Sequence, residues 1–87
     1  MDEKIMRLRA LFDMLFTKEI YRRSYIEVFD QEELVLSANE EGFIYIIDKM
    51  IELCEKKSDY AHCHLDEAGM ADKCNKGIVI SYIKPPW

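Results

Sequence analysis

Apolar side chains along this chain change their spacing three times, and that succession constrains the fold more than any other feature. From residue 3 to 22 they recur at three- and four-residue intervals. Between 24 and 37 they crowd into short runs of aromatic and β-branched residues. Helical spacing returns over 43–54, and extended runs follow over 60–66 and 77–84. Each segment carries an apolar stripe or face that must be stacked on another element. The chain reads as helix, hairpin, helix, hairpin.

Residues 3–22 contain neither Pro nor Gly and place Ile5, Leu8, Leu11, Phe12, Leu15 and Phe16 at helical spacing, with Met6, Met14 and Ile20 widening the stripe. One continuous helix is predicted, and Arg22 and Arg23 suit the negative end of its dipole. A stripe this wide serves a core or a contact with another subunit or partner. Asp2, Glu3, Asp13 and Glu19 dilute the basic charge that a membrane-lying helix would need. Tyr25-Ile26-Glu27-Val28-Phe29 and Leu34-Val35-Leu36-Ser37 flank the polar Asp30-Gln31-Glu32-Glu33 and predict a β-hairpin. The connection lacks an Asn-Gly signal, so a loop longer than two residues is expected.

Ser37-Ala38-Asn39-Glu40-Glu41 is a helix start. Ser37 and Glu40 have capping-box spacing, and Asn39 is an equally good N-cap. Phe43, Ile46, Ile47, Met50, Ile51 and Cys54 carry that helix to about Lys57. Residues 60–66 and 77–84 predict two more strands, with turn chemistry in Asp66-Glu67-Ala68-Gly69 and Asn75-Lys76-Gly77. Residues 78–83 are apolar at nearly every position, which predicts a central strand covered on both faces. Pro85 and Pro86 stop it, and Trp87 follows either against the core or exposed.

The expected fold is α+β, a single domain over residues 1–87. A helix occupies 1–23, a ββαββ core 24–84 and a tail 85–87. The element order α-β-β-α-β-β gives one four-stranded, mostly antiparallel sheet with the helices packed on it. If the first helix neither lies beside the second nor covers the opposite sheet face, that free face calls for a second subunit.

A chain of 87 residues buries roughly 60–65% of its unfolded surface, so association with another chain adds usefully to its stability. The formal net charge is −5 at pH 7. Residues 1–23 are net basic and the remainder is strongly acidic, which disfavours direct nucleic-acid binding and suits a basic partner. Cys54, Cys63 and Cys74 form no CxxC pair, and no apolar run approaches membrane-spanning length. Free thiols in a cytoplasmic setting are expected, without a membrane role.

His62, His64 and Asp66 alternate with Cys63, Leu65 and Glu67, so a strand divides them between its faces. As metal ligands the first three span about 13 Å between outer Cα atoms, too far for one ion without a bend. A hydrogen-bonded structural pair of His64 with Asp66, or a partner contact, fits the spacing better. Cys63 and His64 point to opposite faces, which leaves the thiol without a base. The chain also contains no phosphate-binding loop and no GxSxG. Neither catalysis nor a cofactor is expected.

Ser37-Ala38-Asn39-Glu40-Glu41-Gly42-Phe43 opening an apolar helix, then His62-Cys63-His64-Leu65-Asp66 and a closing Ile78-Val79-Ile80, resembles the Immunity protein 32 family of bacterial polymorphic toxin systems. The resemblance covers about residues 25–84. It implies a protein that binds and neutralises a cognate protein toxin inside the producing cell, with no catalytic residues. An acidic inhibitor fits the basic cleft of a nuclease-type toxin. On this reading the partner-binding residues are Glu32, Glu33, Glu40 and Glu41, with Asp30 beside them, and a second patch of His62, His64, Asp66 and Glu67. The residues leave two alternatives open. One is a structural or regulatory domain acting as a homodimer through the N-terminal helix or a free sheet face. The other is a metal-binding accessory protein.

Overall fold

The structure, a computed structural model, describes residues 3–85. The Pro86-Trp87 tail and the first two residues lie outside them. The predicted N-terminal helix is two helices, α1 (Glu3–Leu15) and α2 (Lys18–Arg23). Thr17 makes the break. Its backbone is extended and its Oγ1 accepts from Ile20 N at 3.4 Å, capping α2. A β-branched residue with a side-chain acceptor is better placed at a cap than inside a helix. The break turns Phe16 and Tyr21 onto Tyr45, at ring separations of 6.2 and 5.3 Å.

Tyr45 belongs to α3 (Glu40–Lys56), the central element. Asn39 rather than Ser37 is its N-cap. Asn39 Oδ1 accepts from Gly42 N at 2.8 Å and from Tyr25 N at 2.9 Å, while Nδ2 donates to Arg23 O at 2.7 Å. One side chain thus ties the end of α2, the start of the first strand and the start of α3. Gly42 is required by this closeness, since a Cβ there would lie 2.6 Å from Tyr25 O. Lys57, in the left-handed region at φ 52°, ends the helix with its N–H on Leu53 O.

The sheet expectation needs correction. The strands form two sheets instead of one with four strands. In the first, β1 (Ile26–Asp30) lies between β2 (Leu34–Ala38) and β4 (Lys73–Cys74). The β1–β2 hairpin is antiparallel across residues 31–33, whereas β4 runs parallel to β1. In the second, β3 (His62–Leu65) pairs antiparallel with β5 (Ile78–Ser81) alone. β4 lies within the connection expected between the last two strands, where residues 71–76 have no apolar alternation. Side chains hold it instead. Asp72 Oδ2 accepts from Ile26 N at 2.9 Å, and Asn75 bonds Asp30 N at 2.7 Å and Asp30 O at 3.0 Å, extending the short ladder at both ends.

Leu65, Ile26 and Val28 are fully buried and meet Ile46 and Ala71 in the core between the sheets and α3. β5 is not the covered central strand its composition suggested. Val79, on its outer face, is 56% exposed, because no element packs against that face among the described residues. α1 and α2 pack mainly on α3. Arg9 clamps α1 to α3, with Nη1 2.6 Å from Asp48 Oδ1 and Nη2 3.0 Å from Glu55 Oε1.

Candidate interaction surface

The histidine strand keeps its predicted alternation. His62 and His64 are exposed on the outer face of β3, their rings edge-on at 5.0 Å, while Cys63 and Leu65 face inward. Asp66 does not complete a triad with them. His64 Nδ1 lies 3.8 Å from Asp66 Oδ2, beyond hydrogen-bonding distance, so the expected structural pair is a loose contact. The turn is ordered by the backbone, where Asp66 O accepts from Gly69 N at 3.0 Å and from Ala71 N at 2.9 Å. Among the described residues, no three His, Cys, Asp or Glu side chains converge as metal ligands. Burial pushes the Cys63 thiol above its usual range, which suppresses the thiolate that nucleophilic chemistry requires.

A groove of about 530 Å³ runs between α3 and β3, and His62, His64 and Asp66 line it together with Tyr45, Lys49 and Cys63. Its cations are engaged, since Lys49 Nζ lies 3.2 Å and Lys56 Nζ 3.8 Å from Glu52. Burial opposes the charge on Lys49, but its hydrogen bond to Glu52 prevails and holds the ammonium more firmly protonated than usual. The groove offers a binding surface.

The candidate acids fall into separate places. Glu32 and Glu33 sit in the β1–β2 loop, whereas Glu40 and Glu41 open α3 at the opposite end of β2. Six residues, 34–39, separate the pairs, roughly 23 Å along an extended chain. Asp30 joins the loop pair and takes Lys76 Nζ at 3.3 Å. Asp66 packs against Gly77 beside this same end, where a Cβ would come within 2.7 Å of its own. Glu67, next to Asp66, has its Oε1 accepting from Cys74 N at 3.4 Å on β4, one residue before the Asn75 that bonds Asp30.

Two further surfaces are exposed. One is the outer edge of β2, which no strand covers among the described residues and where Leu34 and Val35 are 50% and 48% exposed. The other is an apolar seam between α1 and α3. These helices run antiparallel, because Ile5 shares a groove with Cys54 and Lys57 while Phe16 meets Tyr45. Arg9 lies on one side of their contact, and helical spacing puts Leu8, Leu11 and Leu15 with Phe43, Ile47 and Met50 on the other. All six are exposed. The i, i+3, i+7 interval of the first helix fits a core or a partner contact on sequence alone, whereas the i, i+4, i+7 interval of the second points to the core. No helix among the described residues is long and apolar enough to cross a membrane.

The sequence model of the family described as Immunity protein 32 matches residues 33–83. The match spans more than half of the chain and runs from β2 through β5. No curated protein and no solved structure matches the chain. The chain belongs to the Immunity protein 32 family.

Proposed function

We propose that this member of the Immunity protein 32 family binds a cognate bacterial toxin in the cytoplasm of the producing cell and neutralises it by stoichiometric association. The observation that carries this reading is the family match over residues 33–83. The surface chemistry supports it. The net charge of −5 and the exposed acids at both ends of β2 favour a basic protein partner. The protein acts by occupying a surface of the toxin, without bond-making of its own and without a cofactor.

The test is co-expression with the C-terminal toxin domain encoded by the neighbouring gene. Growth is restored in proportion to the amount of this chain, and arrest that persists at excess contradicts the reading. Glu32→Lys combined with Glu33→Lys slows association several-fold at low salt if the loop acids steer encounter. Unchanged kinetics would remove that loop from the contact.

A second reading, a homodimer, is favoured by the exposed seam of Leu8, Leu11, Leu15, Phe43, Ile47 and Met50. Sedimentation of the wild type beside Leu11→Glu decides it. Two copies for the wild type and one for the variant support the dimer, and a concentration-independent monomer eliminates it.

A further inference from the structure

Strand β2 is the outer strand of the three-stranded sheet. Asn39 N donates to Tyr25 O just beyond its end. Antiparallel bonding alternates along a pair of strands, so Ser37 and Val35 exchange their bonds with Glu27 and Phe29. The peptide groups of Leu34, Leu36 and Ala38 therefore turn away from β1. The phase agrees on the far side of β1, where Ile26 O and Val28 O accept from Asp72 N and Asn75 N on the β4 side.

The two edges of this sheet differ sharply. At β4 the pairing is short, and the side chains of Asp72, Asn75 and Glu67 occupy backbone groups around it. β2 runs for five residues in unbroken register and contains no charge, no proline and no bulge. Edge strands are ordinarily blunted by one of these devices. An edge left open in this way is a surface for strand addition.

Charge identifies what fits there. Glu32 and Glu33 stand at one end of the edge, Glu40 and Glu41 at the other. A second copy is disfavoured, because two-fold pairing about Leu36 sets Glu32 of each copy against Glu40 of the other, and opposed like charges destabilise a strand pair. We infer that the β2 edge receives an extended segment of the partner protein as an added antiparallel strand, apolar or β-branched at its centre and carrying Lys or Arg at both ends. This inference rests on the toxin-binding reading and names the segment through which the toxin is held. The basic residues of that segment lie about eight positions apart, the distance from the loop acids to the helix-start acids along an extended chain.

Amide hydrogen exchange of Leu34, Leu36 and Ala38 tests it. The probes are a peptide with paired lysines flanking roughly five alternating Val and Thr residues, its glutamate-ended counterpart, and the neighbouring-gene toxin domain. The lysine-ended peptide and the toxin domain slow exchange at these amides about tenfold, and the glutamate-ended peptide leaves it unchanged. Leu34→Pro, which removes an outward N–H and no bond to β1, abolishes the protection while the unfolding midpoint holds. Equal protection by both peptides refutes the charge assignment, and no protection by either refutes the edge. Protection that grows with protein concentration alone would assign the edge to a second copy and overturn the inference. A toxin domain that is neutralised while protecting other amides overturns the edge and leaves the immunity reading intact. Edge protection by the lysine-ended peptide, with no binding of the toxin domain, sinks the immunity reading and keeps the edge as a basic-strand site.

Discussion

At the residue scale, Arg9 carries the greatest mechanical responsibility. Its guanidinium is hydrogen-bonded to Glu55 and to Asp48, which outweighs the cost of burial and holds its pKa above the ordinary arginine range. Removing it leaves two acids facing each other at a half-buried helix seam. Arg9→Ala therefore costs about 2–3 kcal/mol in urea unfolding, against less than about 1 kcal/mol for Arg7→Ala, whose pairing with Glu3 is fully solvated. Equal losses would mean that the seam is not desolvated enough to matter. Cys63 gives a second test. Because burial keeps its thiol protonated, it reacts with a disulfide reagent near pH 8 severalfold more slowly than a peptide thiol; equal reactivity would contradict its inward placement. Nothing in the sequence separated Arg9 from the other basic residues of the first helix. Its partners are 39 and 46 positions away, and only the packing of two helices brings them within reach.

At the scale of elements, the periodicities were legible and the joints between elements were not. The extended β1–β2 runs, the helix at 40–56 and the antiparallel pairing of the last two predicted strands all followed from apolar spacing. The break at Thr17 did not, because a capping threonine inside an apolar stripe looks like one more helical residue. The short parallel strand β4 was equally hidden, since Asp72 and Asn75 hold it with side-chain bonds that leave no apolar pattern. Strand β5 misled in the opposite direction. A nearly all-apolar run implies cover on both faces, yet Val79 on one face of β5 is exposed. The joint around Asn39 is open to direct test. Gly42→Ala should raise helix propensity by up to about 1 kcal/mol if the helix were isolated. In this fold the added Cβ meets Tyr25 O at 2.6 Å, so the variant is instead destabilised by about 1–3 kcal/mol. A stabilised variant would show that β1 and α3 do not approach so closely.

For the whole molecule, the distribution of acids matters more than their number. The expectation treated Glu32, Glu33, Glu40 and Glu41 as one neighbourhood, but β2 holds the two pairs apart and turns them into brackets around an open edge. The histidine segment likewise became an exposed outer face of a small sheet, without the geometry of a metal or catalytic centre. The family resemblance was legible because the helix-start and histidine-strand motifs lie within the matched residues 33–83. The apolar seam of α1 lies outside that match.

The most direct measurement is the mass of the species formed when this chain is mixed in equal amounts with a candidate cognate toxin domain, the partner its proposed function requires. The account predicts a single one-to-one complex whose association slows as salt rises, because the acids of the β2 ends are screened. Two unmixed species, with the toxin still active, would contradict it.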